Sequence, residues 1–214
     1  EPFELAPRMF AEPLPAYVNA RSPRVAAGLG TIARVVASGA PIYREPLTLA
    51  DALARIRAYY WPYHAALRHL VDETRRRFGA CILVDCHSMP SVGGPDDRDA
   101  GRRRGDFVLG DRHGAACDPR IPRAVERVLA ERGHRVRHNS PYAGGFVTRT
   151  HGDPDNGVHV LQIEINRALY MDEDAIRRGA AMPRVAGTLN AVWDALAKLD
   201  PATLSQEEDG TELA

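Results

Sequence analysis

The stretch Ala80-Cys-Ile-Leu-Val-Asp-Cys-His87 decides how this chain is read. Its apolar residues follow one another without alternation, as in a central strand covered on both faces. The run then turns polar at Asp85 and His87. Upstream, Gly79 closes a helical period in which Leu67, Leu70, Val71, Thr74 and Phe78 form the inward stripe, and Arg75 to Arg77 read as a solvated face. Before it, Thr48 can cap a helix carrying Asp51 in its first turn, and Leu49, Leu53, Ile56 and Tyr60 follow at helical spacing to about Trp61. Pro62 fits either a kink or the first position of a second helix. Residues 1–47 are rich in proline and glycine and read mostly as loop, with short extended pieces such as 31–36.

Downstream, Asp106-Phe-Val-Leu-Gly110 is a second candidate strand, residues 122–132 show a helical period ended by Gly133, and 134–138 make a third strand. Val158-His-Val-Leu-Gln-Ile-Glu-Ile165 is the fourth. Asp172 is read as opening a final helical region to about Leu199, interrupted near 179–183, and residues 205–214 read as a frayed polar tail. Strands alternating with helices imply an α/β sandwich around a largely parallel sheet, with the ligand site at the carboxyl ends of the strands.

Composition narrows the function classes. The 214 residues carry 28 basic and 28 acidic side chains, a formal net charge of zero, which argues against a dedicated nucleic-acid or membrane-surface protein. The length suits one domain over 1–214, with room for a small lobe. No stretch approaches the roughly 18 apolar residues of a membrane span, and none resembles a signal peptide, so the expected location is cytoplasmic. Cys81, Cys86 and Cys117 are too few and too irregular for a disulfide framework; Cys81 and Cys86 read as small buried hydrophobes.

Three segments could carry chemistry. His87 at the end of the first strand is a metal-ligand candidate or a hydrogen-bonded strand-end histidine, and Asp85 could orient its ring. Glu164 sits between Ile163 and Ile165, where an unpaired carboxylate is costly. It is either a general base with a raised pKa or the partner of Arg167 or Arg149. In Asn139-Ser-Pro-Tyr142-Ala-Gly144-Gly145-Phe-Val-Thr-Arg149, the paired glycines allow close backbone approach to a ligand and Arg149 could grip a carboxylate. An ordinary turn with a surface arginine is the alternative. Arg102 to Arg104 could form an electrostatic entrance for an acidic substrate or simply a solvated loop.

Five ordered stretches together resemble the N-formylglutamate amidohydrolase family. They are Tyr17-Val-Asn-Ala-Arg-Ser-Pro-Arg-Val-Ala-Ala-Gly-Leu-Gly-Thr31, Leu83-Val-Asp-Cys-His-Ser-Met-Pro90, Asp106-Phe-Val-Leu-Gly-Asp-Arg112, Asn139 with Pro141-Tyr-Ala-Gly-Gly145, and Leu161-Gln-Ile-Glu-Ile-Asn-Arg-Ala-Leu-Tyr-Met-Asp-Glu173. The resemblance implies a three-layer α/β/α sandwich with a mainly parallel mixed sheet, akin to zinc carboxypeptidases and aspartoacylases. It implies a zinc-dependent amidohydrolase, another divalent metal being the alternative, that converts N-formyl-L-glutamate to formate and glutamate in histidine degradation. His87 would be a zinc ligand and Glu164 the catalytic glutamate; Asn139, Tyr142, Gly144, Gly145 and Arg149 would contact the substrate, a small N-acyl amino acid. Family members carry an upstream Pro-His-Ser-Gly segment with further ligands, and this sequence is expected to begin after it. A zinc amidase for another N-acyl amino acid and a non-catalytic remnant of the family are the rival readings.

Overall fold

The structure, a computed structural model, describes residues 3–36, 39–94 and 97–204; the tail at 205–214 lies outside the described residues. The chain divides into two compact units, Glu1–His69 and Leu70–Ala214.

In the first unit, Leu5, Met9, Phe10, Val25, Ile32 and Ala52 make a small core. Helix α1 (Pro23–Ala26) is capped by the Ser22 hydroxyl, which accepts from the Val25 N–H. Helix α2 (Leu49–Arg55) opens on the expected Thr48: its hydroxyl accepts from the Asp51 N–H while the Asp51 carboxylate reaches back to the Thr48 N–H, a reciprocal capping box. Residues Ile56–Tyr60 then widen to a π turn and lead into α3 (Trp61–Phe78). Pro62, which has no N–H to offer, stands just after that widening, so the helix passes it with a local change of pitch instead of ending. The expected extended piece at 31–36 is reduced to a single bridge, Val35 with Pro41.

The second unit is built on four strands, β1 (Cys81–Met89), β2 (Phe107–Gly110), β3 (Val136–His138) and β4 (Val158–Asn166), in the order β1-β4-β2-β3. The β1/β4 and β2/β3 pairs are parallel and β2 runs antiparallel to β4, so the sheet is mixed and mainly parallel. Helix α4 (Arg120–Glu131) connects β2 to β3, and the six-residue α5 (Phe146–His151) precedes β4. Residues after β4 depart from expectation: in place of a helix from Asp172 there is a hairpin of β5 (Met171–Asp172) and β6 (Arg177–Arg178). The Asp172 carboxylate accepts from the Ala175 N–H at 2.8 Å. That is the bond a helix cap would make, used here to close a turn. The helix proper, α6 (Met182–Leu196), starts later, and α7 (Pro201–Leu204) follows.

Strand periodicity assigns the two faces. Phe107, Leu109, Leu161 and Ile163 point to one face and pack with Ile121, Val125 and Leu129 of α4 and Val192 and Leu196 of α6. Each such burial contributes about 1.5–3 kcal/mol. On this face His159, fully buried, ties α7 to the sheet: Nδ1 accepts from the Asp118 N–H and Nε2 donates to the Leu204 carbonyl at 2.8 Å. The opposite face is divided along its length. At the start of the strands, Cys81, Leu83 and Val158 pack under Val71 of α3; further along, the same alternation places Asp85, His87, Gln162 and Glu164. Helices on both faces make the α/β sandwich.

Candidate active site

The register of β1 against β4 brings the two polar strand ends together. Asp85 lies opposite Gln162 and His87 opposite Glu164, on strands about 4.8 Å apart and on one face. His87 Nε2 is 3.0 Å from Asp85 Oδ1, which leaves Nδ1 as its other ring nitrogen. The imidazole is half exposed and the Asp85 carboxylate largely buried. Hydrogen bonding to Asp85 is the main cause that pushes the His87 pKa up, and the Glu164 charge adds to it.

Glu164 is 6% exposed and Gln162 5%. Among the described residues Glu164 makes no ion pair with Arg149 or Arg167; Arg167 instead donates to the hydroxyl and carbonyl of Ser88 at the end of β1. What holds Glu164 is Gln162, whose Nε2 donates to Glu164 Oε1 at 2.9 Å while its Oε1 accepts from the Gly145 N–H at 2.8 Å. Burial raises the Glu164 pKa, His87 opposes it, and burial wins. A carboxyl shifted upward at the end of a rigid strand is a better proton acceptor than an ordinary glutamate.

The 139–145 loop crosses this face at Gly110, which pairs with Gln162. A Cβ on Gly110 would stand 2.6 Å from Gly144 N and 3.1 Å from the Tyr142 carbonyl oxygen, so only glycine lets the loop lie this close. Gly144 itself has φ +111 and lies against Thr148. The Tyr142 ring is gripped from the side: Arg104 NH1 donates to its hydroxyl at 3.0 Å. Burial is the main cause of a raised Tyr142 pKa, with Arg104 pulling it down and the nearby Asp97 and Glu164 charges pushing it up.

Asn139 and Arg149 have protein partners of their own. Asn139, at φ +54, uses its amide on the turn after β2: Oδ1 accepts from the Asp111 and His113 N–H groups and Nδ2 donates to Asp111 Oδ1. Arg149 is exposed on α5, with its guanidinium over the Phe146 ring. Cys86, expected to be buried, is exposed; partial desolvation and the Asp85 charge push its thiol up, away from a reactive thiolate.

The sequence model of the family described as N-formylglutamate amidohydrolase matches residues 1–171. The chain belongs to this family. An N-formylglutamate amidohydrolase of Ralstonia eutropha JMP134, solved crystallographically, is 33% identical, superposes with a TM-score of 0.82, and is matched over 95% of this chain and 74% of its own. A gene product of Agrobacterium tumefaciens is 27% identical with a TM-score of 0.53, over 73% of this chain and 59% of its own. The N-formylglutamate deformylase of Pseudomonas aeruginosa is 36% identical over 140 residues, 64% of this chain and 52% of that protein; its Pseudomonas putida counterpart is 36% identical over 138 residues, 63% and 51%. The chain thus spans about half the length of the curated relatives it matches.

Within this N-formylglutamate amidohydrolase fold, the fit to a metal ion is partial. A ligating imidazole gives one nitrogen to the metal and the other to a carboxylate or carbonyl, and His87 with Asp85 has that form. Among the described residues, however, no three His, Cys, Asp or Glu side chains group to hold an ion. One residue of the site has no sequence signal, and one has the wrong one. Gln162 gave no signal because a neutral amide within a strand is unremarkable until its neighbours are known. Arg104, read with its neighbours as an electrostatic entrance or a solvated loop, is neither: its side chain is 1% exposed and paired with Asp97 and Asp99.

Proposed function

We propose that this protein takes part in hydrolysis of the amide of N-formyl-L-glutamate to formate and glutamate, with Glu164 as general base. The observation that carries the reading is the arrangement around Glu164: a buried carboxyl with one oxygen held by Gln162 and His87 opposite it in register. The names of the relatives support the substrate. Glu164 would take a proton from water as the oxygen attacks the formyl carbon, and return it to the amine nitrogen as the C–N bond breaks. Gln162 and the Gly145 N–H keep the carboxyl oriented through both transfers. A divalent cation, zinc by family resemblance, fits the His87–Asp85 pair as one ligand of a larger set, and its chemistry would be Lewis-acid activation. Among the described residues no three His, Cys, Asp or Glu side chains are grouped to complete that set. A cytoplasmic place late in histidine breakdown is part of the same proposal; no helix among the described residues is long and apolar enough to cross a membrane.

The test is formate or acid release from N-formyl-, N-acetyl- and N-succinyl-L-glutamate, with and without a chelator, beside metal analysis of the same sample. Preference for the formyl substrate, lost on chelation and restored by zinc, supports the proposal. Preference for a larger acyl group would transfer the reading to a related amidase, because the acyl pocket must differ in size.

A further inference from the structure

Arg104 is the most completely engaged side chain in the second unit. Its Nε donates to Asp99 Oδ2 at 2.8 Å, NH2 donates to Asp97 Oδ2 at 2.6 Å and to Asp99 Oδ1 at 2.8 Å, and NH1 donates to the Tyr142 hydroxyl at 3.0 Å and to the Pro90 carbonyl at 3.5 Å. A guanidinium has five N–H groups, and all five are directed at these partners. Arg104 therefore has no donor left for a ligand and is not itself a carboxylate receptor. Burying a charge is costly unless it is fully paired, and the one partner here that is neither a carboxylate nor a main-chain carbonyl is the phenol of Tyr142.

That bond fixes what the phenol can do. With its oxygen accepting from a cation, Tyr142 retains its own O–H as a donor, and the adjacent positive charge strengthens that donor. The ring is additionally held with the Arg104 guanidinium 5.2 Å from its centroid. The main chain at Tyr142 is pressed against Gly110, and three residues later the same loop bonds Gln162, which holds Glu164. We infer that Arg104 is a positioning residue, fixed by Asp97 and Asp99, that presents the Tyr142 hydroxyl as a hydrogen-bond donor to the carbonyl oxygen of the amide under attack. The inference rests on the reaction proposed above. Donors aimed at an oxygen that gains charge in the transition state favour turnover over ground-state binding.

The test compares Tyr142→Phe, Arg104→Met, Arg104→Lys and the Tyr142→Phe/Arg104→Met double variant, by kcat and KM for N-formyl-L-glutamate and by NMR titration of the Tyr142 phenol carbon. Tyr142→Phe is expected to lower kcat about 100-fold with little change in KM. Arg104→Met should do the same, and the double variant should fall no more than about threefold further, because the two residues act as one unit. Arg104→Lys should be intermediate, since an ammonium cannot fork two carboxylates and a phenol together. In Arg104→Met the phenol should titrate at higher pH than in the wild type. Tyr142→Phe at wild-type kcat, multiplicative losses in the double variant, or an unmoved phenol titration would each overturn the inference. If the wild type releases no formate, the functional reading has failed on its own, and the phenol titration still decides whether Arg104 positions Tyr142. Should Arg104→Met not fold, Arg104→Lys and Tyr142→Phe carry both readouts.

Discussion

Replacing Gly110 by Ala probes whether the 139–145 loop and the Glu164 carboxyl are one mechanical unit. The added Cβ would meet Gly144 N at 2.6 Å and Ala143 C at 2.8 Å. Ordinary contact begins near 3.4 Å, so the loop backbone must retreat by about 0.8 Å, an overpacking strain of about 1–3 kcal/mol. Added to the 2.8 Å bond from Gly145 N to Gln162 Oε1, that retreat gives about 3.6 Å, which is no longer a hydrogen bond. Losing it removes about 1 kcal/mol more, while the reduced freedom of alanine in the unfolded chain returns about 0.4–1 kcal/mol. The expected net destabilisation is therefore about 1–3.5 kcal/mol by urea titration. Because Gln162 then loses the partner that fixes its amide, Glu164 loses its orientation. Amide exchange at Gly145 should accelerate, and turnover should fall by more than the stability loss alone explains. A variant within about 0.5 kcal/mol of wild type, with Gly145 protection unchanged, would refute the argument.

Other consequences can be checked separately. Glu164→Gln should keep the fold and lower turnover by about 10²–10⁴-fold, the usual worth of a general base; formate release near the wild-type rate would remove Glu164 from that role. The same pair gives a pH signature. A carboxyl whose folded pKa lies above its unfolded value costs stability as pH rises from the ordinary glutamate range through the folded value. His87, also raised, contributes stability that is present at low pH and is lost as pH rises through its folded value. Wild-type stability relative to Glu164→Gln should accordingly decline as pH climbs from the glutamate range; a flat or rising difference curve would contradict the assigned directions. His159→Leu should destabilise by about 2–4 kcal/mol by leaving the Asp118 N–H and the Leu204 carbonyl unpaired in the core, measured by thermal or urea unfolding; a loss below about 1 kcal/mol would mean that water replaces both bonds.

What the sequence made legible follows the range of the forces involved. β1 and β4 are visible because unbroken apolar runs need no partner to be recognised, and Asp85 and Glu164 stand out against them because buried polarity is costly, His87 because it ends the run. The Thr48–Asp51 cap is local and was equally readable. The one-residue register that sets His87 against Glu164 is a long-range fact, as is the antiparallel placement of β2 beside β4, so neither could be read from spacing. Asp172 shows a different limit: the same side-chain bond starts a helix or closes a turn, and only the return of Arg177–Arg178 distinguishes them. Asn139 shows another, since an amide that looks suited to a ligand is equally suited to the turn at 111–113.

The mixed second face of the sheet, apolar at the start of the strands and polar at their carboxyl ends, has a consequence for how the gene can vary. Toward the carboxyl end of β4 the demands alternate: Leu161 and Ile163 answer to packing, whereas Gln162 and Glu164 answer to the proposed proton transfer. A saturation scan of residues 161–164 should give a sawtooth in which Leu161 and Ile163 accept other aliphatic residues and reject polar ones, while Gln162 and Glu164 lose activity at undiminished expression. Selection for abundance and selection for catalysis would then act on interleaved sites, so that each can drift while its immediate neighbours stay fixed.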